Sequence, residues 1–372
     1  GICRISGNKT ALFPVGRDNS CLSGSSKFVN FHHSFERGLM LSKEMIIRFH
    51  FLPFACQQLE AKLSFIISNL DDVTEFFARN NCCENLKNIG LNLSTGVLSS
   101  ESKSVGTAIF RQIDRILMST KSISEDKNVS LSLYLFSNFA TNPELEISNL
   151  PFTAFSFYRF TQKLQYKQCW NKFVSHYYSD SKSTKYKYDT NTNTFIDTGK
   201  NGNESICEGV FKNWRNIIYD NIINGKSILG LIHQFCKNNY FNFDIVKVYL
   251  IKLRNMKKET IQKIEQIADY VLDSNDQDGV EKALQKLNKA NSSHLLRRFL
   301  LKDIVAKYYN EGNKEAIIKL DDYTNYLFTD SSSWMEIRDV LIIAIYQKLH
   351  EKNIYFEQDI EQDIEQDLME EN

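Results

Sequence analysis

Apolar and polar residues alternate along two short stretches within residues 131–151. In the first stretch leucines occupy positions 131, 133 and 135, and in the second Leu145 and Ile147 are flanked by polar residues. Because successive side chains of a β-strand point to opposite faces, each stretch can bury one face. An Asn142-Pro143 step between the two stretches is typical of a turn. The pattern therefore predicts two strands joined as a β-hairpin.

The C-terminal half has helical periodicity instead. Apolar side chains recur there at spacings of three and four residues, which places them on one face of a helix. The sets are Ile261, Ile264, Ala268 and Val271; then Leu284, Leu287 and Ala290; then Leu295, Leu296, Phe299, Leu300, Ile304 and Val305. A last helix is predicted from about Trp334 to Leu349. We expect a bundle of about five helices.

A segment from Arg159 to Tyr188 combines positive charge with aromatic side chains, holding seven Lys or Arg residues and one acid. Its first half, to about Tyr178, has helical spacing. Residues 179–193 are rich in Ser, Thr, Lys, Asn and Asp, which is typical of an exposed loop. The alternation of lysine and tyrosine at residues 185–188 is equally compatible with a hairpin strand closed by Asp189-Thr190-Asn191. The sequence leaves both interpretations open.

These patterns together predict an α+β fold with two domains. We expect a mixed α/β N-terminal domain over residues 1–220 and a helical bundle over residues 221–350. The remaining residues, 351–372, differ from both in composition and are expected to form a separate acidic tail.

Charge is distributed unevenly along the chain, although acidic and basic residues are equal at 45 each. Nine of the acids and one lysine fall in residues 351–372, which repeat Glu-Gln-Asp-Ile. This composition predicts a solvated, disordered tail. Residues 1–350 carry 44 basic and 36 acidic residues, a balance of +8. Residues 1–350 are therefore expected to attract phosphates more strongly than the zero net charge of the full chain suggests.

Composition and short motifs also exclude several classes of protein. No run of 18 or more apolar residues is present, so no membrane span or membrane partner is expected. Eight scattered cysteines lack the spacing of a disulfide framework, which predicts reduced thiols and a cytoplasmic location. The sequence has no Gly-rich phosphate loop, no Gly-x-Ser-x-Gly and no His-Glu-x-x-His. We therefore expect a protein that is not an enzyme and has no cofactor.

Several short motifs follow one another along the chain. They are Leu12-Phe13-Pro14-Val15-Gly16, Phe28-Val29-Asn30-Phe31, Phe51-Leu52-Pro53-Phe54, Phe136-Ser137-Asn138, Leu150-Pro151, Asn216-Ile217-Ile218-Tyr219-Asp220, Gly225-Lys226-Ser227-Ile228-Leu229 and Arg338-Asp339-Val340-Leu341-Ile342. In order and spacing they resemble the large subunit of type I-B CRISPR interference complexes (Cascade). The resemblance extends from about Cys3 to about Leu349.

The resemblance implies a non-catalytic large subunit of an RNA-guided CRISPR surveillance complex in antiviral defence. The guide then reads the target by base pairing, while the protein recognises a protospacer-adjacent motif on duplex DNA and stabilises the R-loop. The implied partners are the CRISPR RNA (crRNA), target double-stranded DNA, backbone and guide-end-capping subunits, and a downstream helicase-nuclease or transposition factor. The C-terminal bundle resembles the small subunit of such complexes, which binds the displaced single strand.

Many members of that family carry two Cys-x-x-Cys pairs that resemble a zinc site. Here the first pair is Cys3 and Ser6, and the second falls at Ser42 and Met45. A structural zinc ion needs four nitrogen or sulfur ligands, and three of the four are missing. Nearby histidines are alternative ligands, although no spacing requires them: His32, His33 and His50. We predict no metal and a buried thiol at Cys3.

Positive residues are the candidates for nucleic-acid contact. Lysine and arginine contact phosphates, whereas amides can read base edges. In the basic segment we predict phosphate contacts from Lys182, Lys185 and Lys187, and base contacts from Asn191 and Asn193. In the bundle the candidates are Lys252, Arg254, Lys257, Lys258, Arg297 and Arg298. Ordinary solvated surfaces have a similar composition, so this alternative stays open.

Two other functions are compatible with the sequence. The chain can be a nuclease acting on RNA, either metal-dependent or metal-free, or a purely structural assembly subunit with no DNA contact. Cleavage with and without EDTA distinguishes the first from the large-subunit hypothesis, and salt-dependent DNA binding distinguishes the second.

Overall fold

The computed structural model describes residues 1–15, 39–94, 96–119, 127–137, 144–182, 185–199, 204–328 and 333–356. The strands are β1 (Phe13–Val15), β2 (Leu39–Leu41), β3 (Gln57–Leu59), β4 (Lys62–Ser68), β5 (Leu131–Ser137), β6 (Glu144–Leu150), β7 (Tyr178–Ser179), β8 (Tyr186–Asp189), β9 (Thr194–Asp197), β10 (Glu204–Ile206) and β11 (Arg215–Asn216).

The α-helices are α1 (Lys43–Phe51), α2 (Asp71–Gly90), α3 (Val105–Met118), α4 (Phe152–Thr161), α5 (Leu164–His176), α6 (Glu208–Phe211), α7 (Ile217–Ile223), α8 (Leu229–Asn238), α9 (Phe243–Leu253), α10 (Lys258–Asp273), α11 (Gln277–Asn288), α12 (Ser293–Arg298), α13 (Ala306–Asn310), α14 (Leu320–Asp322) and α15 (Trp334–Glu351). A 3₁₀ turn covers Leu52–Ala55, and π-helical stretches cover Phe299–Val305 and Tyr323–Leu327.

The chain divides into two compact units. Unit 1 comprises Gly1–Ser156 and Tyr177–Ile223, and unit 2 comprises Phe157–His176 and Asn224–Asn372. The sequence places one boundary near residue 220, whereas the structure assigns residues 157–176 to the unit that contains the bundle. The reason is aromatic packing, since the Phe173 ring lies 5.3 Å from that of Phe235, between centroids.

The largest sheet of unit 1 has four antiparallel strands in the order β3-β4-β5-β6. The predicted hairpin is confirmed, because β5 and β6 pair antiparallel with Leu131 opposite Leu150 and Ser137 opposite Glu144. The three leucines of β5 are buried, as their alternation predicts. The Asn142-Pro143 step lies outside the described residues.

Helix α3 has a buried apolar face in unit 1. Its Ile109, Ile113 and Ile116 recur at spacings of three and four residues and are all buried. The helix begins after Ser104, whose side chain accepts a hydrogen bond from the backbone N–H of Thr107. The Gln112 amide of α3 donates to Oε1 of Gln57 on β3 at 3.2 Å, so the helix is fixed to the sheet.

Unit 2 is built around α15, which is buried on nearly all sides from Ile337 to Tyr346. Positions 340–345 are all apolar, so no side of this stretch suits solvent, and α8 and α10 pack against the helix. The predicted last helix is confirmed and ends two residues later, at Glu351. The predicted faces of α10 and α11 are buried as well, whereas Leu295 is 37% exposed.

The α+β fold class is confirmed, with the helices concentrated in the C-terminal part. Residues 357–372, the greater part of the predicted acidic tail, lie outside the described residues. Among the helices of the described ranges, none has the length and apolar character that crossing a bilayer requires.

Candidate nucleic-acid interface

The basic segment folds partly as a hairpin and partly as a helix. Helix α5 ends at His176, and β8 pairs antiparallel with β9, with Tyr186 opposite Asp197. Strand β10 completes a three-stranded sheet. The strand interpretation of residues 185–188 is therefore confirmed for β8, and the loop interpretation is wrong there. Asp189 accepts hydrogen bonds from the backbone of Asn191 and the hydroxyl of Thr192, which closes the turn.

The three lysines predicted here differ in whether a carboxylate of the protein pairs with them. The Nζ of Lys185 lies 3.0 Å from Oδ2 of Asp197 and 5.4 Å from the Tyr186 ring centroid. The hydrogen bond to Asp197 raises the pKa of Lys185. Lys182 and Lys187 are exposed and form no ion pair with any described residue. Only two of the three ammonium groups are therefore available to phosphates.

The two candidate amides lie at the tip of the same hairpin. Asn191 and Asn193 are both exposed. Asn193 has a positive φ of 53°, which asparagine tolerates better than most residues, and its Oδ1 accepts a hydrogen bond from the hydroxyl of Tyr188 at 3.4 Å. The hairpin thus brings Lys187, Asn191 and Asn193 onto one small element.

Most of the six cations predicted in the bundle are engaged by unit 2 itself. Arg254 forms an ion pair with Glu336 at 2.6 Å and donates to the carbonyl of Gly225. Lys257 lies over the Tyr326 ring, and Arg297 lies 4.8 Å from the Phe328 ring centroid. Lys252 is half-buried and has a partner within the protein. Lys258 is exposed at the start of α10. Lys257 and Arg297 both contact rings of residues 323–328.

Arg298 is different, because it lines a cavity of about 360 Å³. The cavity lies between the end of α11, the end of α12 and the π-helical stretch. Its lining residues are Lys286, Lys289, Ala290, Leu295, Arg298, Phe299, Lys302 and Asp303. Ala290 and Phe299 are buried and supply an apolar floor. π-Helical turns are rare and occur frequently at functional sites.

Four cations and one acid surround this cavity. Lys286 is paired with Asp303, with 2.5 Å between Nζ and Oδ1. Lys289, Arg298 and Lys302 are exposed and form no ion pair with any residue in the described ranges. Three uncompensated cations around an apolar floor attract an anion with several acceptor oxygens, and a phosphate group fits this chemistry.

Sequence reasoning identified Arg298 but missed the other three cations of the cavity. Lys286 and Lys289 are three residues apart near the end of α11, and Arg298 and Lys302 are four apart across the next helical segment. Such spacings place each pair on one side of its helix. This pattern is enough to predict a basic surface on each of the two segments. The convergence of the two pairs depends on how the helices pack, and no local pattern contains that information.

The four positions that the resemblance assigns to zinc ligands do come together in unit 1. The Sγ of Cys3 accepts a hydrogen bond from the backbone N–H of Ser42 at 3.4 Å, and Met45 packs against the cluster of Cys3, Val15 and Leu41. Hydrogen bonds, first from the Ser6 side chain, lower the pKa of the Cys3 thiol to about 6.

One cysteine with two serines and a methionine does not make a zinc site. Within the described ranges no three His, Cys, Asp or Glu side chains are arranged to hold a metal ion. His32 and His33 lie outside those ranges, and His50 is exposed. The residues present therefore do not fit the zinc that the resemblance implies.

Comparison with known proteins finds a similarity in the C-terminal part of the chain. Residues 234–372 match the family model of the DevT C-terminal domain. The matched range begins within α8 and includes every residue that lines the cavity. Among curated proteins and among solved structures, no match was found.

Proposed function

We propose that this protein is a non-catalytic, nucleic-acid-binding subunit of an RNA-guided CRISPR surveillance complex. The match to the DevT C-terminal domain supports this proposal, because DevT is associated with CRISPR Cascade-like proteins. The ordered motifs from Cys3 to Leu349 support the same assignment from the sequence. Both lines of support are independent of the charges in the bundle.

The finer assignment is the large subunit of a type I-B complex. In this role the chain recognises the protospacer-adjacent motif on duplex DNA and stabilises the R-loop, with crRNA, target DNA and the other Cascade subunits as partners. A helicase-nuclease or transposition factor then acts downstream. The hairpin with Lys187, Asn191 and Asn193 is the element that we assign to the duplex, because its lysine reaches phosphates and its amides can discriminate base edges.

The observation that carries the proposal is the cationic cavity of unit 2. Lys289, Arg298 and Lys302 have no ion-pair partner among the described residues, and the one acid of the cavity already pairs with Lys286. A nucleic-acid phosphate that enters releases condensed counterions, and this release favours binding at low salt. The site therefore suits the backbone of a single strand, which can follow a concave surface between helices.

Salt-dependent binding tests this role of the cavity. The full chain is titrated with a fluorescent single-stranded oligonucleotide at several salt concentrations. The triple variant Lys289→Ala, Arg298→Ala, Lys302→Ala should flatten the slope of log K against log salt by about 2, at roughly 0.7 per phosphate contact. Asp303→Asn should steepen it by about 0.7, because Lys286 becomes free. Lys314→Ala is the matched control, since Lys314 is exposed in unit 2 and does not line the cavity.

The steeper salt slope expected for Asp303→Asn distinguishes a binding site from a structural role. A variant that only destabilised the helices would not bind the oligonucleotide more tightly. An unchanged slope in a folded triple variant would remove the cavity from the interface. Absence of catalysis is tested on the same sample. We expect no hydrolysis of DNA or RNA with or without EDTA, and a rate abolished by one point substitution would favour the nuclease instead.

A further inference from the structure

The cationic cavity of unit 2 has a second candidate ligand within the chain itself. Residues 357–372, which form the acidic segment, contain eight carboxylate side chains and no lysine or arginine. Lys289, Arg298 and Lys302 of the cavity form no ion pair with any described residue. The cavity and the acidic segment belong to the same compact unit. An excess of positive charge and an excess of negative charge therefore lie in one unit of the chain.

The spacing of the acids resembles that of a nucleic-acid backbone. Acidic residues occupy every second position of the acidic segment from Glu357 to Asp367. Side chains at alternate positions of an extended chain share one side and lie about 6.8 Å apart. Six carboxylates would then form one row of evenly spaced negative charges. The phosphates of a single strand present the same kind of row to a binding protein.

The acidic segment is long enough to reach the cavity. The cavity lies beside α15 near Arg338, which donates to the carbonyl of the lining residue Ala290 at 3.0 Å. Glu351, where α15 ends, is 13 residues beyond Arg338, a rise of about 20 Å. Tyr355 remains at that end, because its ring stacks on His350 with 4.3 Å between centroids. The 16 residues of the acidic segment span up to about 53 Å when extended, so several carboxylates can enter the cavity.

Other cations of unit 2 already have acidic partners. Lys348, close to the end of α15, pairs with Asp269. Lys263 pairs with Asp322 at 3.0 Å. In the cavity the one acidic side chain pairs with Lys286, and three cations are left for a further anion. Charge complementarity therefore directs the acidic segment to the cavity.

We propose that the acidic segment occupies the cationic cavity in the free chain and that nucleic acid displaces it. The displacement rests on the proposed function, whereas the contact itself does not. The counterions released on binding come from the nucleic acid, so the salt dependence expected of the cavity persists. An intramolecular competitor lowers the affinity for every ligand by the same factor, so weak, non-specific ligands are excluded first.

Zero-length cross-linking of the free, full chain tests the contact without nucleic acid. A water-soluble carbodiimide condenses a carboxylate with a lysine amine in direct contact, forming an amide while the carbodiimide takes up the water as a urea. Mass spectrometry then maps the joined residues. We expect acids of the acidic segment to be joined to Lys289 and Lys302. Lys314 is the control, since it is exposed in unit 2 and does not line the cavity.

Two kinds of result would overturn the contact. In the first, the acidic segment is not joined to the protein at all, or is joined to Lys314 as often as to Lys289. In the second, the joined residues come from two copies of the chain, which a mixture of isotope-labelled and unlabelled chains detects.

A charge-neutral acidic segment tests the displacement. The variant replaces six carboxylates by amides at unchanged length: Glu357→Gln, Asp359→Asn, Glu361→Gln, Asp363→Asn, Glu365→Gln and Asp367→Asn. We expect it to bind the single-stranded oligonucleotide about tenfold more tightly at low salt, which corresponds to a cavity open in about one unaltered chain in ten. In the background of Lys289→Ala, Arg298→Ala, Lys302→Ala this gain should largely vanish. An equal gain in that background would indicate general repulsion instead of occupation and would overturn the proposal.

The two experiments together distinguish this proposal from the proposed function. Coupling of the acidic segment to Lys289 and Lys302, without oligonucleotide binding by any variant, would support the contact and contradict the proposed function. Normal oligonucleotide binding without that coupling would contradict the contact and leave the proposed function intact.

Discussion

The guanidinium of Arg254 lies 2.6 Å from the carboxylate of Glu336, so α15 is joined to the end of α9 by an ion pair. The two side chains are only 27% and 16% exposed. A second nitrogen of Arg254 donates to the carbonyl of Gly225 at 3.0 Å. Arg254 is one of the residues that the sequence offers as a DNA contact, and the structure uses it to hold unit 2 together.

We predict that Arg254→Ala destabilises the protein without a specific effect on DNA binding. It leaves Glu336 and the Gly225 carbonyl without their partner, at a cost of about 2 kcal/mol in the free energy of unfolding. This value lies between those of surface pairs and of fully buried pairs. Urea unfolding measures it, with Lys258→Ala as the control, since Lys258 is exposed. Unchanged stability together with a flatter salt slope would reassign Arg254 to the interface.

The hairpin lysines should contribute unequally to duplex binding. The double variant Lys182→Ala, Lys187→Ala is expected to flatten the salt slope by about 2, at roughly 0.9 per phosphate. Adding Lys185→Ala should change little, because Asp197 already neutralises that ammonium group. Asp197→Asn in the otherwise unchanged chain should free Lys185 and steepen the slope by about 0.9. Equal contributions from all three lysines would show that the Asp197 pair does not persist in solution.

The sequence predicted the elements that depend only on the spacing of apolar residues within one segment. The β5–β6 hairpin and the helices α10 and α15 follow from apolar periodicity, because burial of one face needs only the correct spacing. The cavity could not be predicted in this way, since Lys289 and Lys302 come from different segments and meet through tertiary packing. The assignment of residues 157–176 to unit 2 has no local signal for a related reason. Residues 157–176 precede β7 in the chain, but their aromatic side chains pack in unit 2.

The degenerate zinc site yields a metal prediction. We expect elemental analysis of the purified chain to find no stoichiometric zinc. Cys3, Ser6, Ser42 and Met45 already lie together in unit 1. The variant Ser6→Cys, Ser42→Cys, Met45→Cys should therefore supply four thiolates and retain about one zinc per chain after dialysis. One tightly held zinc in the unaltered protein would contradict the assignment of Cys3 as a packed thiol.

His233 of α8 should remain neutral well below the usual range of histidine. Burial, followed by the nearby charges of Lys237 and Arg338, lowers its pKa to about 4. Its Nε2 is shielded from solvent and has no hydrogen-bond partner among the described residues. Between pH 6.5 and about 4 the unfolded chain binds this proton and the folded chain does not, so stability falls as the pH is lowered through this window. A side-chain NMR titration with a midpoint near 6.5 would contradict this environment.

Sequencing of the RNA that co-purifies with the native protein tests the proposed function most directly. The chain is isolated from its own cells at low salt, and the bound RNA is extracted and sequenced. We predict short RNAs with variable centres flanked by constant, repeat-derived ends, which is the composition of guide RNAs. Recovery of no RNA, or of RNA that reflects only the abundance of cellular transcripts, would contradict membership of an RNA-guided complex.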